Sequence, residues 1–151
     1  MIWLLQDLLQ LLSMGIIMIP ELFLLSVAFG VVSGSLNQGR ICMMIWIAFA
    51  GGIIWDLRWV TFPGMSGLVN SLLVLAIYTV WSRTPVTGRS VLIFGLLAGG
   101  AHFFSGVVRY LSWATSSESA LRLFLIQQLL GVPVLALLCM ILAFRKPRTH
   151  V

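Results

Sequence analysis

The sequence predicts an all-α, polytopic integral membrane protein: about six transmembrane helices in one compact bundle, with residues 1–151 forming a single domain. Composition is the first reason. Hydrophobic residues fill 60% of the chain and charged residues 9%, whereas a soluble domain carries about 25% charged residues. The mean hydropathy of +1.09 leaves too little polar surface for water, so lipid is the expected solvent. The second reason is the layout of charge. The net charge is +5, but the basic residues sit singly in short breaks between apolar runs and form no patch or stripe. A nucleic-acid partner is therefore not expected. The third reason is that no break exceeds roughly ten residues, which leaves no room for a soluble catalytic or nucleotide-binding domain.

A spanning helix needs about 20 mostly apolar residues. The spans are expected at about 2–19, 21–36, 41–57, 64–82, 90–111 and 120–144. Pro20 ends the first, and Ser35 to Arg40 separates the second from the third. Phe62-Pro63-Gly64 opens the fourth, and Arg145-Lys146-Pro147-Arg148 stops the sixth. The second and third are short and need tilt, thinning or snorkelling ends. In the first, Gln6, Asp7 and Gln10 share one face with leucines around the rest. That pattern fits either an interfacial amphipathic helix or a span. A span is preferred because Met14 to Ile19 extends the apolar run. Met1 to Leu5 lacks the basic n-region of a signal peptide, so the first segment is expected to be retained.

Basic residues in short loops orient such a chain. With both termini cytoplasmic, Arg40, Arg83, Arg89, Arg145, Lys146 and Arg148 fall inside, and Arg58, Arg109 and Arg122 outside. Glu21, Asp56 and Glu118 also fall outside. Trp55, Trp59 and Trp113 are expected as anchors at outer ends and Trp81 at an inner end.

Small residues recur every four positions: Ser26, Gly30 and Gly34; Ala48 and Gly52; Gly95 and Gly99, with Ala98 and Gly100 beside them. Such faces let helices approach closely, either within the chain or with a partner's helix. Asp56 is the most informative charge. It is an interfacial charge, a partner contact, or one half of a pair with Arg58 or Arg109; a position near one of these arginines is expected. His102 and Arg109 lie about two turns apart on one face. Asn70, Arg109, Gln127 and Gln128 fall in the outer half, as bridges between helices or as the walls of a small polar pocket.

No catalytic constellation is evident: there is no phosphate-binding glycine loop, serine elbow or paired metal ligand. No cofactor is expected. One histidine without a second ligand is poor evidence for metal. Cys42 and Cys139 have no metal spacing and are expected as small buried hydrophobes.

Pro20-Glu21-Leu22, then Gly51-Gly52 and Asp56, then Pro63-Gly64, Leu72 and Tyr78 resemble the MreD family of bacterial rod shape-determining membrane proteins. The match covers roughly residues 20–83. Leu129-Leu130-Gly131-Val132-Pro133 is similar to that family's last span. The turn Leu57 to Phe62 is bulkier than the family's small turn. The resemblance implies a non-catalytic scaffold of lateral-wall peptidoglycan synthesis in the bacterial cytoplasmic membrane. It implies MreC as partner and, with it, the MreB filament, RodA and a class B penicillin-binding protein. It marks Pro20, Gly52, Asp56, Gly64 and Tyr78 as candidate contacts. The alternative class is the substrate-binding subunit of an energy-coupling-factor vitamin transporter. Such a subunit also uses about six short-looped helices, and its outer pocket could draw on Asn70, Asp56, Arg109 and Gln127.

Overall fold

The computed structural model describes residues 2–13, 19–34, 37–59, 64–113 and 118–144. Six α-helices follow one another: α1 (Ile2–Leu12), α2 (Leu22–Ser33), α3 (Gln38–Trp59), α4 (Met65–Arg83), α5 (Val91–Trp113) and α6 (Glu118–Phe144). A single 3-10 turn, Val86–Gly88, links α4 to α5, and the described residues contain no strand. The protein is all-helical and multi-pass.

Four stretches are long and apolar enough to cross a membrane: Gln38–Arg58, Met65–Arg83, Val91–Leu111 and Leu121–Phe144. Two of the six expected spans, 2–19 and 21–36, are represented among the described residues by shorter helices. α1 has 11 residues and α2 has 12, so each is only about 17–18 Å long against about 30 Å of hydrocarbon. Pro20 and Glu21 delay the start of α2, and Gly34 ends it in extended backbone. The run expected to carry the first span onward, 14–18, lies outside the described residues, and Ile19 is not helical. α3, in contrast, is longer at both ends than the 41–57 expected.

α2 is the hub despite its length, packing against all five other helices. Its sequence is apolar nearly all round, as a helix enclosed on every side requires. Leu24, Leu25, Ala28 and Val31 meet Ala48 of α3, Val74 and Ile77 of α4, and Phe94 and Ala98 of α5 in one core. α6 sits at the periphery: 11% of its apolar stretch is buried, compared with 39% for α4. Its outward leucines are the surface a bilayer would cover.

Close helix contacts rest on glycine. A Cβ on Gly52 would fall on the backbone of Gly67, so α3 and α4 cross with main chain against main chain. Gly51 receives the Phe23 ring. Between α5 and α6, a Cβ on Gly99 would lie 3.1 Å from Leu135, and one on Gly95 3.4 Å from Cys139. Gly30 faces Met44, and Gly34 lies under the Arg40 guanidinium, both from α3. Ser26 turns back to donate to the Leu22 carbonyl at 2.6 Å. The small-residue faces are thus filled by the chain's own helices.

One further expectation, that of a buried Cys42, is corrected. Cys42 is exposed on α3, whereas Cys139 is partly buried and packs against the apolar core. Trp55 and Trp81 are buried within the protein, each ring lying beside an arginine, Arg109 and Arg89 respectively. The side chains of Trp59 and Trp113 lie outside the described residues.

Substituting Gly52→Ala is expected to cost about 1–3 kcal/mol, since the neighbour it strikes is rigid backbone. Gly100→Ala, where nothing lies within 4 Å, should be neutral or slightly stabilising through helix propensity. Thermal unfolding of both variants in one detergent checks the contrast.

Candidate functional site: a buried polar cluster at one end of the bundle

The starts of α2, α4 and α6 and the ends of α3 and α5 gather at one end of the bundle. Pro20 cannot donate a backbone N–H, and α2 begins just past it. Glu21 follows at the threshold of the helix, 1% exposed. An isolated carboxylate in such surroundings would be very costly, and this one is surrounded by polar partners. Ser105 of α5 donates to it, with Oγ 2.6 and 2.7 Å from the two carboxylate oxygens. Asn70 Oδ1 of α4 lies 3.4 Å from the same hydroxyl. One turn beyond Ser105, Arg109 places Nε 3.2 Å from Glu21 Oε1, forming an ion pair. The contact lacks hydrogen-bond alignment, and Nε and Nη1 of Arg109 have no hydrogen-bond acceptor among the described residues. The Trp55 ring of α3 covers the guanidinium, with its carbon 4.4 Å from the ring centroid. The buried charges of α2 and α5 thus neutralise each other inside a cage of four helices.

α1 closes this cage from the side. Gln6, Asp7 and Gln10 are all buried. Gln6 Oε1 accepts the Phe23 N–H at 2.8 Å, and Gln10 Oε1 accepts the Ile19 N–H at 3.0 Å. Those paired positions show that α1 runs antiparallel to the entry of α2. Asp7 forms an ion pair with Arg58 at the end of α3. The leucines point outward, with Leu4 60% and Leu12 70% exposed. An interfacial helix would turn its polar face to water; here that face is used inside the protein.

Of the alternatives for Asp56, an ion pair with an arginine is not found among the described residues. Asp56 is fully buried, but its partners among the described residues are backbone amides. Oδ2 accepts the N–H of Gly64 at 2.9 Å and of Ser66 at 2.8 Å. Arg58 is engaged with Asp7 and Arg109 with Glu21. The first amides of any helix lack partners within it. Asp56 supplies an acceptor for the start of α4, where a negative charge also suits the helix dipole. The turn depends on Gly64, whose φ of +102° is a conformation that side-chain-bearing residues rarely adopt.

Gln127, fully buried on α6, donates to the Ile19 carbonyl at 3.4 Å. The His102 ring lies over Gly131 of α6, which has no Cβ to obstruct it. Neither ring nitrogen has a well-aligned hydrogen bond among the described residues, though the Gln127 backbone lies beside the ring. Of the residues singled out from sequence, Pro20, Gly52, Asp56, Gly64, Asn70, Arg109 and Gln127 therefore converge on this end. Tyr78 does not; it packs, partly buried, against the apolar core farther along α4. Ser26, Gly30 and Gly34 lead toward the opposite end. There Arg40 donates to the Gly30 carbonyl at 3.2 Å, and Arg89 donates to the carbonyls of Thr84 and Ser82. Glu21 is the member that hydropathy and loop charge did not single out as a site residue. The available signal was an acid directly after a helix-breaking proline, between two apolar runs.

What this arrangement can do is join helices. Removing one partner of a buried ion pair costs about 3–5 kcal/mol, while replacing both with apolar groups can be neutral. Arg109→Met should therefore destabilise more than Glu21→Leu/Arg109→Met, as a double-mutant cycle by unfolding in detergent would show. Asp56→Ala should cost about 0.5–2 kcal/mol through loss of the helix cap. Asp56→Asn retains an acceptor oxygen and should recover most of that loss. Compared with protein-family models, curated proteins and solved structures, the chain gives no significant match to any.

Proposed function

We propose that this chain is a non-catalytic membrane scaffold of the bacterial cell-elongation complex, resident in the cytoplasmic membrane and similar in role to MreD. The observation that supports this reading is convergence. Pro20-Glu21, Gly51-Gly52, Asp56 and Gly64 carry the resemblance, and in the fold they build one connected end of the bundle. Pro20 sets the start of α2, Glu21 holds Arg109, Gly52 admits the α4 backbone, and Asp56 with Gly64 begins α4. Residues scattered over more than forty positions of sequence thus form one structural unit. The proposed partners are MreC and, through it, the MreB filament, RodA and a class B penicillin-binding protein.

The mechanism proposed is helix-to-helix contact in the bilayer. The small-residue stripes are occupied by α3, α4 and α6 of the same chain, so docking falls to the outward apolar faces. The alternative, a vitamin-binding transporter subunit, would place a ligand among Asn70, Arg109 and Gln127. Asn70 and Arg109 border a cavity of only about 10 Å3, measured to the centre of a water-sized occupant. Gln127 is spent on the Ile19 carbonyl. A described cavity near the size of one water favours the scaffold reading over a vitamin site at these residues.

Depleting the protein in its host is the direct test. Rod-shaped cells should widen and round up; unaltered rods, or a bound vitamin in the purified protein, would end the scaffold reading. The proposal also places both termini in the cytoplasm, with the Asp56 turn and the 112–119 connection outside. Alkaline phosphatase fused at the C-terminus should be inactive and a cytoplasmic reporter there active. The reverse pattern would invert the topology.

A further inference from the structure

We infer that the cavity between Glu21, Asn70 and Arg109 is a binding site for a single water molecule that joins α5 to α2 and α4. Three observations converge on it. Arg109 lines the cavity and is 5% exposed, yet its Nε and Nη1 have no aligned acceptor among the described residues. Its ion-pair partner, Glu21, takes the Ser105 hydroxyl, and the 3.2 Å approach of Arg109 Nε to Glu21 Oε1 is not aligned as a hydrogen bond. Trp55 covers the guanidinium face, which stabilises charge but accepts no N–H. Donors left this way in hydrocarbon are costly, so an acceptor is required.

Size and charge select the occupant. The cavity measures about 10 Å3 to the centre of a water-sized occupant, near the minimum that admits one water. Its polar walls come from four residues, Gln6, Glu21, Asn70 and Arg109, and a buried water needs two to four such partners. A metal cation would face the Arg109 charge, and an anion would face Glu21. The two wall charges cancel, so a neutral molecule that both accepts and donates fits. Water accepts from Arg109 and donates to Asn70 Oδ1 or the carboxylate. The site is independent of the scaffold reading, since it follows from satisfying buried polar groups alone.

Solid-state NMR of the full chain in lipid bilayers tests this, with 15N-labelled arginine and magnetisation transferred from water. Arg109→Lys identifies the Arg109 signals by their loss. In the unmodified protein, Arg109 Nε should receive magnetisation from water clearly faster than the amide of Phe94 in the apolar core. Transfer as slow as at Phe94 would overturn the site. So would an Arg109 shift when bromide replaces chloride, or when potassium replaces sodium, since either would mean an ion occupies it. Asn70→Leu, which fills the cavity with an apolar side chain, should abolish the transfer; a folded variant that retains it would also overturn the proposal. Should that variant not fold, the measurement on the unmodified protein decides alone.

Discussion

Helix ends away from water impose the central constraint on this bundle. The first amides and last carbonyls of a helix have no partners within it, and hydrocarbon offers none. Two helices start against buried side chains of earlier helices. Gln6 of α1 takes an amide of α2, and Asp56 of α3 takes two at the start of α4. At the opposite end the chemistry reverses. Arg40 supplies a donor to a carbonyl of α2, and Arg89 supplies donors to the carbonyls of Ser82 in α4 and of Thr84 just past its end. Acceptors cluster where helices start and donors where they finish, which also follows the helix dipole.

The ion pair between Glu21 and Arg109 operates within that frame. It ties the threshold of the central helix to α5, and the serine and tryptophan around it come from two further helix positions facing the same spot. A lone carboxylate or guanidinium there would be prohibitive. Together they are tolerable, and they fix how α2 and α5 slide past each other. Apolar packing alone specifies that register weakly in a bilayer, because lipid tails compete on equal terms.

Much of the fold is legible in the sequence. The long apolar runs give α3, α4, α5 and α6 to within a few residues, because length and hydropathy decide membrane crossing. The glycines at 52, 95 and 99 mark close approaches because small side chains have few other uses at such spacing. What stayed hidden is long-range. A local capping rule looks next to the helix, but Asp56 caps from eight and ten residues away and Gln6 from seventeen. The arginine nearest Asp56 in sequence goes instead to Asp7, fifty-one positions away. Trp55 has the sequence signature of an interfacial anchor, and only the position of Arg109 makes it a buried lid on a cation. Hydropathy likewise overstated α2, since it counts apolar residues without asking whether the backbone stays helical at Glu21 and Gly34.

The attachment of α1 has a consequence for which substitutions the chain can accept. Gln6 and Gln10 bind the amides of Phe23 and Ile19, groups that every residue except proline carries. Recognition is therefore one-sided. The side chains at 19 and 23 can drift among apolar types without touching these two bonds. Positions 6 and 10 must keep a long side chain ending in an acceptor. In any set of natural variants, the glutamines would be the restricted partners and the apolar residues opposite them the permissive ones, an asymmetry that pairwise covariation would miss.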